Sequence, residues 1–367
     1  MKDKNNLLFL FPGPKYDLEE DLGNRLKLLS RSFCGVAITY SSSGGGGEFG
    51  RFRVISEKIK DSSGFVVKSY KIFNVIKRNI ESADVVISYD PLLTGLIGLY
   101  FARRYNKKLI VEVNGLHHLA CTYVDKRLGS RLLLRFLYSR VMKFVIKRSD
   151  GVKLLFNNQL DGLGVDLKRK VVAVYHDYTN LDKFSDLGEE KVILCAGFPM
   201  YLKGIDILVK AFKMVSGNFP DWKLYIIGWF EKPLILEKLI GSHPNILVLK
   251  AIPHRDMHKY MGRCGIYAMP SRSEGMGRVF LEAARCGKPR IGSKVGGIPS
   301  VIDDGVDGLL VEPENMIDLQ NKLDLLMRDD GERKRLGRAA YFRSVNDFAD
   351  ENYLVNTIRF YSQVLSE

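Results

Sequence analysis

Short apolar runs alternate along the whole chain with longer amphipathic segments, and the two patterns predict two kinds of element. In the first half, Leu7–Phe11, Val36–Thr39, Val85–Ser88, Leu109–Val113, Val152–Phe156 and Val171–Val174 read as strands, because near-continuous apolar runs suit strands buried on both faces. Between them Leu22–Arg31, Phe73–Ile80, Leu93–Tyr105 and Leu132–Ile146 read as helices. After Asp177–Asp186 the pattern restarts at Val192-Ile-Leu-Cys-Ala-Gly197. Strands at Lys223–Ile227, Ile246–Leu249, Ile266–Met269, Arg290–Gly292 and Gly308–Val311 then alternate with helices, and a helix within Tyr353–Leu365 ends the pattern. This alternation predicts an α/β fold with two doubly wound domains facing a central cleft. The expected boundaries are an N-terminal domain over 1–178, a linker over 179–187, a C-terminal domain over 188–345 and a last helix within 346–367 packing back on the first domain. The run Ser41-Ser-Ser-Gly-Gly-Gly-Gly-Glu48 reads as a flexible loop inside the first domain.

Composition fits two cores and adds an asymmetry. With 367 residues at 46% hydrophobic content the chain exceeds what one core supports, since single cores rarely grow past about 250–300 residues. Of the net charge of +14, residues 1–185 carry +13, from 31 Lys+Arg against 18 Asp+Glu. A basic first half points to an anionic surface or substrate met by that domain. Much of the charge falls in Lys126–Arg148, where Arg131, Arg135 and Lys143 recur at helical spacing beside an apolar stripe. Such a helix either lies on anionic lipid headgroups or covers a sheet with a solvated face. No nucleic-acid motif accompanies the charge. No stretch reaches the roughly 18–20 apolar residues that cross a bilayer, and the five-residue run at Leu7–Phe11 suits a first strand better than a leader. The five cysteines (Cys34, Cys121, Cys195, Cys264, Cys286) are odd in number and never in a Cys-x-x-Cys pair. They suit a reducing cytoplasm and argue against a disulfide framework or zinc site. His254 and His258 form only a weak metal-ligand spacing and read as surface residues.

The candidate chemistry centres on Ser271-Arg-Ser-Glu-Gly-Met-Gly-Arg-Val-Phe-Leu-Glu282. A buried strand, Gly265-Ile-Tyr-Ala-Met-Pro270, precedes it and an apolar helix follows, so Glu274 lies in a glycine turn at the carboxyl end of a strand, where open α/β sheets bind ligands. Gly275 and Gly277 allow a tight turn that aims the amides of Gly277, Arg278 and Val279 outward, an arrangement that holds phosphate. Glu274 can accept hydrogen bonds from sugar hydroxyls, and Glu282, one to two turns into the helix, can chelate a ribose diol. The set suits a bound sugar nucleotide.

The series Pro270-Ser271, Glu274-Gly-Met-Gly277, Glu282-Ala-Ala, Gly287-Lys-Pro289, Gly296-Gly-Ile-Pro299 and Asp304-Gly with Asp307-Gly-Leu-Leu-Val311 resembles the GT-B glycosyltransferases, specifically their family 4. The resemblance covers nearly the whole chain and is strongest from about Gly197 to Glu312. It implies two Rossmann-like domains and a retaining, metal-independent transfer of a sugar from a UDP- or GDP-sugar, with no cofactor beyond that donor. It further implies that Glu282 binds the ribose hydroxyls, Glu274 the donor sugar, and the amides of Met276 to Val279 the sugar and diphosphate. By the same match Lys203, in Leu202-Lys-Gly-Ile-Asp206, neutralises the leaving diphosphate beside Gly197. The implied acceptor is a glycan or a lipid-linked sugar, in cell-surface polysaccharide, lipopolysaccharide or glycolipid synthesis at the inner face of the membrane. Base recognition falls to loops such as Ala251-Ile-Pro253.

Three positions depart from the family pattern. Phe198 stands where an arginine usually follows the glycine, which leaves Arg278, Lys294 or Lys203 alone to meet the phosphates. Asn114 ends the strand Leu109–Val113 where a histidine is usual, with His117 or His118 as the substitute imidazole. Gly13 stands alone in place of a double glycine near the diphosphate. Two further readings stay open on this fold: a sugar-nucleotide epimerase, and a catalytically impaired homologue acting as a membrane-bound scaffold.

Overall fold

The computed structural model describes residues 5–13, 22–60, 65–119, 128–228, 230 and 233–367. The acidic segment at 17–21, Cys121 and the Arg131 side chain lie outside the described residues. The chain forms two compact units, one of Met1–Asn180 with Asp350–Glu367, the other of Leu181–Ala349.

The first unit is built on β1 (Asn6–Leu10), β2 (Cys34–Ser41), β3 (Gly45–Phe49), β4 (Phe52–Lys58), β5 (Val85–Ser88), β6 (Lys108–Val113), β7 (Gly151–Leu154) and β8 (Val171–Val174), in spatial order β3-β4-β2-β1-β5-β6-β7-β8. Every pairing is parallel except that of β3 with β4. The continuous apolar runs follow from burial on both faces. In β1, Leu7 and Phe9 join one core with α1 (Gly23–Leu29) and α12 (Asp350–Ser366), while Leu8 and Leu10 join another with α2 (Phe65–Asn79), α3 (Leu93–Arg104) and α4 (Leu128–Arg148).

Two expectations change here. The glycine run is not a loop: Gly45–Phe49 pairs antiparallel with Phe52–Lys58 at the sheet edge. Gly46 is required there, since a Cβ would meet the Val54 carbonyl oxygen at 2.2 Å. The second helix starts at Phe65, eight residues before the expected Phe73, because the β-branched Val66-Val67 pair weakens a helical signal that the rest of the helix overrides. In α4 the C-terminal half buries Met142, Val145 and Ile146, whereas Leu132, Leu133, Phe136 and Leu137 of the N-terminal half are exposed. The apolar stripe is therefore a core face over only part of the helix. Among the described residues, no helix is long and apolar enough to cross a membrane.

The second unit carries β9 (Glu190–Ala196), β10 (Lys223–Gly228), β11 (Ile246–Lys250), β12 (Cys264–Met269), β13 (Arg290–Ser293) and β14 (Leu309–Val311), all parallel, in the order β11-β10-β9-β12-β13-β14. The helices α5 (Ile205–Val215), α6 (Pro233–Ile240), α7 (His254–Met261), α8 (Arg278–Arg285), α9 (Ile298–Val301), α10 (Met316–Arg328) and α11 (Asp330–Asn346) complete it. The order runs outward from β9 to β11, then reverses and runs from β12 to β14. The loops after β9 and β12 thus diverge from a topological switch point, where the carboxyl ends of neighbouring strands leave a crevice.

Candidate active site

Both loops at the β9/β12 switch point carry candidate residues, and packing forces them together. Gly204, at φ +66°, caps α5, and a Cβ there would meet the Pro270 carbonyl oxygen at 2.0 Å. Only glycine lets the β9–α5 turn press so closely on the end of β12. The Lys203 stem crosses Gly197, where a Cβ would lie 3.1 Å from Lys203 Cγ. Lys203 Nζ then donates to Glu274 Oε2 at 2.5 Å. The two side chains are 17% and 14% exposed, so the pair is half-shielded yet reachable from solvent. Gly197 and Lys203 therefore share one wall with Glu274, 71 residues beyond Lys203 in sequence.

Arg272 braces the same loop. Its guanidinium binds Asp206 in a fork at 2.7 and 2.8 Å, donates to Glu314 at 2.7 Å and lies 3.9 Å from the Tyr201 ring centroid. Burial works to lower its pKa, but the bonds to Asp206 and Glu314 outweigh it and hold the charge on. Gly277, at φ +79°, opens α8 without a side-chain cap. The preceding turn is pinned by Gly297 N–H, which donates to the Gly275 carbonyl at 2.8 Å. Met276 is buried, Val279 half-buried and Arg278 exposed. An uncapped helix start beside an ammonium group is an anion site in waiting.

Glu282 lies further along α8 with its side chain 5% exposed. Its Oε1 accepts from His254 Nε2 at 3.0 Å, and its Oε2 is buried without a hydrogen-bond partner. His254 is exposed, as its sequence context suggests, but it also has this second role, which its spacing to His258 does not reveal. The usable signal is its place at the start of α7, directly after the loop 251–253 that leaves the carboxyl end of β11. Lys294, a candidate substitute for the arginine absent at Phe198, is instead held by Glu312 at 2.8 Å. That carboxylate offsets its charge; Lys203 is paired as well, but with Glu274, in the turn that leads into α8.

In the first unit the strand order likewise reverses between β1 and β5. Gly13 follows β1, and a Cβ there would lie 2.1 Å from the Tyr40 carbonyl oxygen, so packing alone demands glycine. Asn114, after β6, donates from Nδ2 to the Tyr89 carbonyl at 3.1 Å and keeps Oδ1 buried without a partner. The two histidines diverge. His118 is buried, with Nε2 at 3.2 Å from the Asp161 carbonyl, and its own carbonyl accepts from Arg135 Nε at 3.2 Å. Burial lowers its pKa and keeps the ring neutral, which makes it an anchor of its loop rather than an open proton acceptor. His117 is more open. Its ring folds back over Gly115, and its field acts on the buried Asp90 carboxyl, whose pKa burial raises. Among the described residues no group of three or more His, Cys, Asp or Glu side chains is placed to hold a metal ion.

Residues 178–343 match the family model described as glycosyl transferases group 1. An uncharacterized glycosyltransferase of Methanocaldococcus jannaschii is 30% identical over 277 residues, 74% of this chain and 73% of that protein. A GDP-mannose-dependent monoacylated alpha-(1-6)-phosphatidylinositol monomannoside mannosyltransferase of Corynebacterium glutamicum is 33% identical over 187 residues, 48% of each protein. Among solved structures, sucrose-phosphate synthase from Thermosynechococcus elongatus superposes with a TM-score of 0.80 at 18% identity, over 99% of this chain and 100% of the other. Anabaena HepE, solved in complex with UDP and glucose, gives 0.75 at 14% identity, over 98% and 99%. These last two likenesses show a shared fold.

Proposed function

This chain belongs to the glycosyl transferases group 1 and is a glycosyltransferase of the GT-B fold, and we propose that it moves a sugar from a UDP- or GDP-sugar, with retention and without a metal, to a glycan or lipid-linked acceptor. The carrying observation is the assembly of Lys203, Glu274 and the uncapped start of α8 at one switch point, with the buried Glu282 further along the same helix.

In this reading the diphosphate lies on the amides of Gly277 to Val279 and against Lys203, the donor sugar reaches Glu274, and the ribose reaches Glu282. Lys203, paired with Glu274, exchanges that partner for the diphosphate as charge develops there. The bond from the anomeric carbon to the phosphate oxygen breaks with its electron pair going to the diphosphate. The acceptor oxygen bonds to the same face of the sugar, and its proton passes to the departing phosphate oxygen. Helix amides, already aligned by the turn, stabilise that developing charge without reorganisation, and the ammonium adds to them as it turns from Glu274. A carboxylate nucleophile is not needed.

The acceptor falls to the first unit, with His117 rather than His118 as its candidate imidazole. Its basic character suits an anionic or lipid-borne acceptor, and the phosphatidylinositol monomannoside named for the Corynebacterium relative supports that reading. The exposed Leu132, Leu133, Phe136 and Leu137 of α4, beside Arg135 and Arg140, suit peripheral contact with an anionic membrane at its cytoplasmic face. A thermal-shift panel of UDP-, GDP- and other sugar nucleotides tests the donor assignment. The cognate donor at one hundred times its Kd adds about 2.7 kcal/mol of stability. Absence of a shift with every sugar nucleotide would overturn the assignment.

A further inference from the structure

His254 stands between a cation and a buried acid. On one side its Nε2 is 3.0 Å from Glu282 Oε1, and on the other its Nδ1 is 3.3 Å from Lys183 Nζ. An ammonium group has donors only, so the contact with Lys183 requires a lone pair on Nδ1. The ring proton then resides on Nε2 and points at Glu282. The Phe184 ring, with its centroid 6.0 Å from that of the imidazole, packs beside it. Hydrogen bonds thus run in one direction, from Lys183 through His254 to Glu282, and they engage one carboxylate oxygen while Oε2 stays buried and unmatched.

Resting on the donor reading above, we propose that His254 is a positioning residue that fixes the Glu282 carboxyl group for a ribose diol and so makes the site select ribonucleotides over 2′-deoxyribonucleotides. With Oε1 held by an imidazole N–H, the carboxyl plane is set and Oε2 lacks only a donor. A ribose supplies two neighbouring hydroxyls. A 2′-deoxyribose supplies one, and leaves a buried acceptor partly unmatched, the kind of mismatch that gives polar sites strong discrimination. Without the N–H of His254 the carboxyl group can turn, and the penalty for a missing hydroxyl shrinks.

The test is titration calorimetry on the full chain with UDP, GDP and their 2′-deoxy forms, comparing wild type, His254→Phe and His254→Gln. Phenylalanine keeps the ring packing without an N–H, and glutamine carries an N–H toward the place of Nε2. The wild type is expected to prefer the ribonucleotide by about tenfold. His254→Phe is expected to reduce that preference to within about twofold, chiefly by weakening the ribonucleotide, and His254→Gln to restore most of it. Side-chain nitrogen NMR of His254 is expected to show the proton on Nε2. Retention of the wild-type preference in His254→Phe, or a proton on Nδ1, would overturn the proposal while leaving the donor reading standing. A wild type that binds neither nucleotide would instead sink the donor reading, and one that binds both sugar forms equally would sink the ribose role of Glu282.

Discussion

Replacing Glu112 by alanine should destabilise the first unit far more than the loss of one hydrogen-bonding side chain, because it unbalances a buried set of charges. Glu112 has no exposed side-chain surface and accepts from Arg25 at 2.9 and 2.8 Å and from the Tyr361 hydroxyl at 2.8 Å. Arg25 in turn donates to the Tyr353 hydroxyl at 2.6 Å, and Asp177 lies 3.1 Å from Lys153 and 3.9 Å from Arg25. Arg25 and Lys153 are thus balanced by Glu112 and Asp177, all four buried. Removing Glu112 leaves one positive charge in excess, and breaking a buried pair in this way costs about 3–5 kcal/mol. The affected unit holds about 200 residues, for which each kcal/mol moves Tm by about 2–4 °C, so its transition should fall by roughly 6–20 °C. Differential scanning calorimetry resolves this, since the transition of the second unit should not move. The double variant Arg25→Met with Glu112→Leu should recover part of the loss, because an apolar pair carries no stranded charge. A loss below about 1 kcal/mol in Glu112→Ala, or strict additivity of the single variants, would refute the argument.

Further outcomes follow from the same geometry. Lys203→Ala should lower the rate of sugar transfer by about 30- to 1,000-fold in single-turnover kinetics, the equivalent of roughly 2–4 kcal/mol of charge stabilisation, and an unchanged rate would remove Lys203 from the site. His118 titrates lower in the fold than its ordinary value of 6.5, so the unfolded chain takes up its proton first. Its contribution to stability is whole above pH 6.5 and is lost as pH falls from there toward the folded value. Urea midpoints should decline across that window, and His118→Asn should flatten the decline. If α4 meets lipid, Leu133→Glu with Phe136→Glu should weaken co-sedimentation with phosphatidylserine vesicles while raising no effect on nucleotide binding. Equal sedimentation would make those residues an ordinary exposed surface.

The parallel strands were legible because burial on both faces writes itself as a continuous apolar run, as in Leu7–Phe11. The turn that carries Glu274 between β12 and α8 was legible because glycines between a strand and a helix are a local pattern. What escaped was non-local or carried no side chain. The strand Gly45–Phe49 opens with three glycines, so it has little period to read, and its pairing rests on a close backbone approach to Val54. Glu112 and Lys153 sit inside apolar strands and gain their meaning only from Arg25 and Asp177, which other elements bring to them. His254 meets Glu282 across 28 residues of chain, and His118 meets Asp161 across 43, so no window of sequence contains either pair.

The central claim is that Glu282 and the start of α8 hold a sugar nucleotide. Isothermal titration of the cognate donor against wild type and Glu282→Ala tests it most directly. Hydrogen bonds to a charged group contribute about 1.5–3 kcal/mol each, so losing those to the ribose should weaken binding by at least about tenfold with the fold intact by circular dichroism. A folded Glu282→Ala variant that binds the donor with the wild-type Kd would contradict the account.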